Sequence, residues 1–167
     1  MRAFLLAGLF VMGLSASPLN PVKWTLSAEQ TSVAPSGSTL LKLHADIEPG
    51  YHLYSVTTPA GGPISTRLRV SGGATASEIY QPEPETRLDP TFNLKVETFT
   101  NSVDFLIPAR VATGRQGDVA ISVSVRYQAC SDEICLPPVE RKADVIVHVG
   151  PQTPAIPAGY RKVKITQ

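Results

Sequence analysis

An all-β, immunoglobulin-like β-sandwich is the fold class that the sequence predicts, and three observations predict it. Apolar residues recur at every second position in several separate runs. Glycine and proline, 12 and 15 in a chain of 167 residues, punctuate the stretches between those runs. Past the N-terminus, no segment sustains a helical 3.6-residue period over about 11 residues. Alternation with one apolar face is what a sheet packed on one side requires, and many short strands at this spacing suit two stacked sheets.

In chain order, Leu41, Leu43, Ala45 and Ile47 alternate with Lys42, His44, Asp46 and Glu48. Ile64 to Val70 is a second candidate strand. Val103, Phe105 and Ile107 alternate with Ser102, Asp104 and Leu106. Val119 to Tyr127 alternates throughout and runs toward a cysteine, and Val145, Val147 and Val149 form a last alternating run. Turn signals separate them: Pro49-Gly50, Gly61-Gly62-Pro63, Gly72-Gly73, Gly114 and Gly117. Gln81 to Pro90, with three prolines and acids at Glu83, Glu85 and Asp89, is expected as an exposed loop. Pro151 to Pro157 reads as a loose connection to a basic tail, Arg161 to Lys164, that suits a short last strand. Trp24 is expected in core or edge packing, and His44 and His148 on solvent faces.

Residues 1–17 place Arg2 before the apolar run Ala3 to Leu14 and the small residues Ser15-Ala16-Ser17. That is the plan of a secretory signal, and the run is short of the ~20 residues of a bilayer span. A single domain is expected over residues 18–167, outside the cytoplasm, where a disulfide can persist. Lys plus Arg number 15 and Asp plus Glu 14, a formal charge of +1. This balance argues against a broad basic face for nucleic acid, though not against a small local patch.

The informative stretch is Tyr127-Gln128-Ala129-Cys130-Ser131-Asp132-Glu133-Ile134-Cys135-Leu136-Pro137-Pro138. A strand running into Cys130 and a Pro-Pro after Cys135 suggest a hairpin-like excursion, with the cysteine Cα atoms about 5.5 Å apart if bonded. So small a ring removes little entropy from the unfolded chain, which makes it a poor staple. An exposed tip gives access for thiol–disulfide exchange. The neighbouring Asp132 and Glu133 would raise thiol pKa values, which suits a disulfide attacked by a better nucleophile elsewhere. The same spacing also fits an inert pin in a hairpin. A metal site is the weakest reading, because two sulfurs have no histidine close in sequence.

The motif YQACSDEICLPP resembles the cysteine motif of the N-terminal periplasmic domain family of the thiol:disulfide interchange reductant DsbD. Pro49-Gly50-Tyr51-His52-Leu53-Tyr54-Ser55 is similar to that family's aromatic strand. Pro82-Glu83-Pro84 with Asp89-Pro90-Thr91-Phe92 is similar to its loop near the cysteines, and Glu97 through Phe105 and Pro108 continue the likeness, over roughly residues 22–149. The resemblance implies an immunoglobulin-like sandwich with a redox-active hairpin tip and an extended cap loop. It implies a domain that takes two electrons from a thioredoxin-like reductant and passes them to thioredoxin-fold partners with Cys-x-x-Cys sites. Cys135 would form the mixed disulfide and Cys130 would resolve it. Phe92 would cap the resting bond, with Tyr51, Tyr54, Asp89, Glu97 and Tyr127 around the site. Pro90 and Thr91 stand where the family suggests acids, and four residues separate the cysteines where the best-known members have one more.

The resemblance implies no cofactor or metal. Among partners, the resemblance extends to a membrane-embedded electron donor and to a branch serving cytochrome maturation. The competing function is a non-catalytic sandwich that binds protein or carbohydrate, its disulfide only holding a loop. A hydrolase is the weakest alternative, since no Ser-His-Asp or paired-carboxylate set is evident.

Overall fold

The computed structural model describes residues 20–89 and 92–151. The expected signal, Pro90, Thr91 and the basic tail lie outside the described residues. The described chain is all-β, with twelve strands in order: β1 Val22–Ala28, β2 Ser32–Val33, β3 Ser38–Ile47, β4 His52–Tyr54, β5 Arg67–Gly72, β6 Ala74–Thr75, β7 Glu85–Asp89, β8 Leu94–Phe99, β9 Ser102–Val111, β10 Gly117–Tyr127, β11 Ala129–Cys130 and β12 Val139–Val149.

These strands form three four-stranded sheets, ordered β1-β3-β9-β6, β2-β12-β10-β5 and β11-β4-β8-β7. The first two are the layers of the sandwich. Their alternating apolar faces meet in one core that includes Leu41, Leu43, Phe105, Ile107, Ile121, Val123 and Val147. Trp24, half-buried on β1, crosses between the layers. Its ring lies 6.2 Å from Phe105 on its own sheet and 5.2 Å from Tyr127 on the other. Lys42, His44 and Asp46 of β3, Asp118, Ser124 and Arg126 of β10, and Glu140, Lys142, Asp144 and His148 of β12 share the outward parity that period two demands, whereas Thr39 and Arg141 have the inward one. On the outward faces His44 Nδ1 meets Asp104 at 2.6 Å and His148 Nδ1 meets Asp118 at 2.9 Å.

The chain switches layers at Gly72-Gly73, between β5 and β6. Gly72 holds φ +85°, and a Cβ on it would meet Ala120 O at 2.7 Å. A Cβ on Gly73 would meet Val119 Cγ1 at 1.8 Å. Neither position has room for a side chain, so the turn signal marks a close approach as well as a bend.

Three expectations need correction. The second strand begins at Arg67 rather than Ile64, because Ile64 to Thr66 hydrogen-bond to Gln128 and to the backbone around Tyr54 and Ser55. The Gln81 to Pro90 segment is not all loop. Its proline-free centre, Glu85–Asp89, is an edge strand that among the described residues pairs only with β8, and Pro82 and Pro84 stand outside the ladder. The extended cap loop is consequently a β7–β8 hairpin whose turn contains Phe92 and Asn93, the latter at φ 52°. Val22–Ala28, not among the expected strands, forms an edge of the first layer on β3.

Candidate functional site

The third sheet carries the cysteines, and its two faces do different things. Leu53 on β4 and Phe99 on β8 are register partners and belong to the sandwich core. On the other face, Tyr54, Val96 and Cys130 form a second buried cluster, with Leu94 and Cys135 packed against it. Alternation explains the division, since Leu53 and Tyr54 are neighbours in one strand and must point apart. The cross-strand pairs Cys130↔His52, Tyr54↔Thr98, Arg87↔Val96 and Asp89↔Leu94 all lie on the disulfide's face.

Cys130 and Cys135 are bonded and form an antiparallel bridge. Backbone bonds bracket the pair: Ser131 N donates to Ile134 O at 2.8 Å, and Leu136 N donates to Ala129 O at 3.0 Å. The cysteines therefore face each other directly at a non-hydrogen-bonded position, where strands approach closest. Their Cα atoms are 4.0 Å apart, closer than the spacing expected from sequence. At the tip, Ser131 Oγ accepts from the backbone N–H groups of Glu133 and Ile134, at 3.2 and 3.1 Å, and so closes the turn with a side chain.

The two sulfurs differ in access. Cys130 is 1% exposed, whereas Cys135 is only partly buried. Beside Cys135, Ile134 is 57% exposed, an apolar side chain offered to solvent at the tip. Asp132, one of the two acids expected to oppose a thiolate, is engaged by Arg87 of β7 at 3.1 Å. That contact also ties the tip to the β7–β8 hairpin.

A buried polar chain lies beneath. The Tyr54 hydroxyl donates to Asp89 Oδ2 at 2.9 Å, and His52 Nε2 lies 3.1 Å from the same hydroxyl. With its proton given to Asp89, the tyrosine oxygen accepts from an Nε2–H, which selects that tautomer of neutral His52. Burial holds the His52 pKa down, to about 4, and the Arg87 charge pushes the same way against Asp89 and Asp132. Burial, then the hydrogen bond to Asp89, pushes the Tyr54 hydroxyl up. Asp89 Oδ1 accepts from Phe92 N at 3.2 Å, so one carboxylate fastens both the tyrosine under the cysteines and the turn that bears Phe92.

Phe92 is half-buried, and a Cβ on Gly62 would meet its Cβ and Cγ at 3.4 Å and Leu94 Cδ1 at 3.1 Å. The loop at Gly61-Gly62-Pro63 thus lies against the side chains of the β7–β8 turn. Other expected site residues lie elsewhere. Tyr51 and Tyr127 pack in the sandwich core, and the Tyr127 hydroxyl donates to Asn20 Oδ1 at 2.8 Å. Glu97 has the parity of Phe99, opposite to Val96. Hydrogen bonds from Thr57 and then Ser55 (2.7 Å) hold its carboxyl below the usual range.

The structure adds His52, Arg87 and Gln128 to the residues around the cysteines. Gln128 Oε1 accepts from Ile64 N at 2.9 Å, and its Nε2 donates to Leu136 O at 3.1 Å, bracing the arm that carries Cys135. The i, i+2 pairing of His52 with Tyr54 was the readable signal for the histidine. Arg87 and Gln128 become visible only once the strands are paired.

Solved structures and family models bear on this arrangement. The N-terminal periplasmic domain of ScsB from Proteus mirabilis shares the fold, with a TM-score of 0.57 at 13% identity over 79% of this chain and 49% of that one. The Neisseria meningitidis DsbD N-terminal domain in the reduced form is a more distant neighbour, with a TM-score of 0.45 at 15% identity, covering 65% of this chain and 77% of that one. No curated protein matches the sequence. The family model described as thiol:disulfide interchange protein DsbD, N-terminal, matches residues 24–146. With most of the chain matched and a disulfide-bearing hairpin on a sandwich, the chain belongs to the family of DsbD N-terminal domains.

Proposed function

We propose that this protein is an extracytoplasmic thiol:disulfide exchange domain that cycles two electrons through Cys130–Cys135, with Cys135 as the sulfur that bonds to partners. The observation that carries the reading is the asymmetry of the bond: Cys130 is buried, while Cys135 sits partly open at a hairpin tip. Exchange requires in-line approach to one sulfur, and access selects Cys135.

The donor is a dithiol of Cys-x-x-Cys type. Its thiolate attacks Sγ of Cys135, the S–S bond breaks, and Cys130 leaves as a thiolate that takes up a proton. The donor's second thiol then attacks the donor sulfur of the mixed disulfide, which frees Cys135 and leaves the donor oxidised. The pair gains two electrons and two protons. It returns them when the Cys135 thiolate attacks an acceptor disulfide and Cys130 resolves the product. Acceptors are thioredoxin-fold proteins, including those of cytochrome maturation, and the donor is a thioredoxin-like domain linked to a membrane electron source. Phe92 shields the bond between encounters, because an aromatic ring covers sulfur at little polar cost and must move for a partner to enter. Asp89 and Tyr54 fix the turn that bears it.

The test pairs trapping with a potential. Cys130→Ser should accumulate a mixed disulfide through Cys135 with a thioredoxin-fold partner, and Cys135→Ser should not. Equilibration with glutathione should place the wild-type bond at roughly −180 to −270 mV. A potential below about −300 mV, with no mixed disulfide from either variant, would make the bond a structural pin and favour a binding module.

A further inference from the structure

The outer face of the β2-β12-β10-β5 sheet carries a charge arrangement that the exchange site does not use. Arg67 on β5 is the register partner of Arg126 on β10, and Arg69 partners Ser124 one step along. All three arginines are exposed, and with Leu68, Ser124 and Glu140 they line an open groove of about 630 Å³. None of the three makes an ion pair or a side-chain hydrogen bond among the described residues. Even Glu140, the register partner of Arg126, is not bonded to it. Like charges directly opposite on a sheet work against pairing, so the fold gains nothing from placing a guanidinium across from another. In a chain of formal charge +1, the concentration is local.

Its position suggests what it meets. β10 ends at Tyr127, one residue past Arg126, and Gln128 then leads into β11, which carries Cys130. Four chain steps, at most roughly 13 Å, separate Arg126 from that cysteine. Gln128 binds the lead-in to β5 at Ile64 and the Cys135 arm at Leu136, which holds groove and disulfide in one frame. A protein footprint of about 800 Å² per partner, roughly 28 Å across, spans both.

We infer that Arg67, Arg69 and Arg126 form an electrostatic docking patch for an acidic surface beside the Cys-x-x-Cys site of the thioredoxin-fold partner. The inference rests on the exchange reading. Guanidinium forks suit carboxylates, and unpaired arginines pay no ion pair to release when a partner docks. The patch acts on encounter rate, since complementary charge steers association while leaving the chemistry at sulfur alone.

The experiment measures the second-order rate at which reduced thioredoxin of net negative charge reduces the disulfide, by stopped flow, for wild type and Arg67→Gln/Arg69→Gln/Arg126→Gln. Dithiothreitol serves as an uncharged reductant. At low salt the triple variant should be about tenfold slower with thioredoxin, within the range of charge steering. The deficit should vanish at ~0.5 M NaCl, while the dithiothreitol rate and the potential stay unchanged. Arg→Lys at all three positions should retain most of the rate. Equal thioredoxin rates for wild type and triple variant at low salt would overturn the patch and leave the exchange reading standing. A wild type reduced by dithiothreitol but not by thioredoxin at any salt would overturn both. Unchanged exchange with lost binding to phosphatidylglycerol vesicles would make the groove a lipid contact and refute the inference. All three side chains are exposed, so the variants should fold, and circular dichroism checks that they do.

Discussion

His52 should make this protein acid-labile in a defined window, and removing it should close that window. The imidazole is 3% exposed, bonded to the Tyr54 hydroxyl, and faced by Arg87 and Asp89 of β7 and Asp132 of the hairpin tip. Its pKa is about 4 in the fold against 6.5 for the free group. Between those values the unfolded chain binds a proton that the folded chain does not, so stability falls as pH falls. The difference of roughly 2.5 units sets a ceiling of about 3 kcal/mol, and between pH ~7.5 and ~4.5 the loss comes to about 2.5 kcal/mol.

The assay is urea unfolding of wild type and His52→Gln at both pH values, read by tryptophan fluorescence from Trp24. Other groups, including Glu97 with its lowered pKa, also titrate toward the acid end. The informative quantity is therefore the difference between the two proteins in their pH dependence. Glutamine keeps an N–H for Tyr54 and cannot take a charge. His52→Gln should lose about 2.5 kcal/mol less than wild type over this range. Parallel pH profiles would refute the reasoning and mean that His52 remains solvated or becomes charged in place.

Three further outcomes follow from the same geometry. Tyr54→Phe leaves the Asp89 carboxylate and the His52 N–H without the shared hydroxyl, and should cost about 1–3 kcal/mol in urea unfolding. Phe92→Ala should speed reduction by dithiothreitol several-fold with little change in equilibrium potential; an unchanged rate would show that the ring does not gate access. Gly73→Ala forces a Cβ into Val119 and should destabilise by about 1–3 kcal/mol or more, seen as a lowered Tm, while sulfur reactivity in the folded protein stays the same.

The long strands were legible because period two persists over many residues. Leu41 to Ile47, Val103 to Ile107, Val119 to Tyr127 and Val145 to Val149 all fall within strands of the sandwich. The turn glycines were legible too, since Gly50, Gly61, Gly72, Gly114 and Gly117 adopt positive φ. The third sheet was harder. Its strands β4 and β11 have three and two residues, too few to show a period. In β7 the acidic and proline-flanked composition hid a strand that needs a ladder on one edge only. The cysteine pair stood out by its spacing and by resemblance. Its surroundings did not, because cross-strand neighbours such as His52 beside Cys130 follow from register, which no local pattern reports.

The two-faced third sheet also shapes how such a domain can change. Leu53 and Phe99 key it into the sandwich, while Tyr54, Val96 and the cysteines occupy its opposite side. The inward side chains serve the sandwich core, while the opposite side holds the cysteines together with the His52–Tyr54–Asp89 chain that also stabilises the fold. Substitutions beside the cysteines therefore trade stability against reactivity over generations while the sandwich core is left untouched, which makes this small sheet the natural place to redesign the chemistry of the domain.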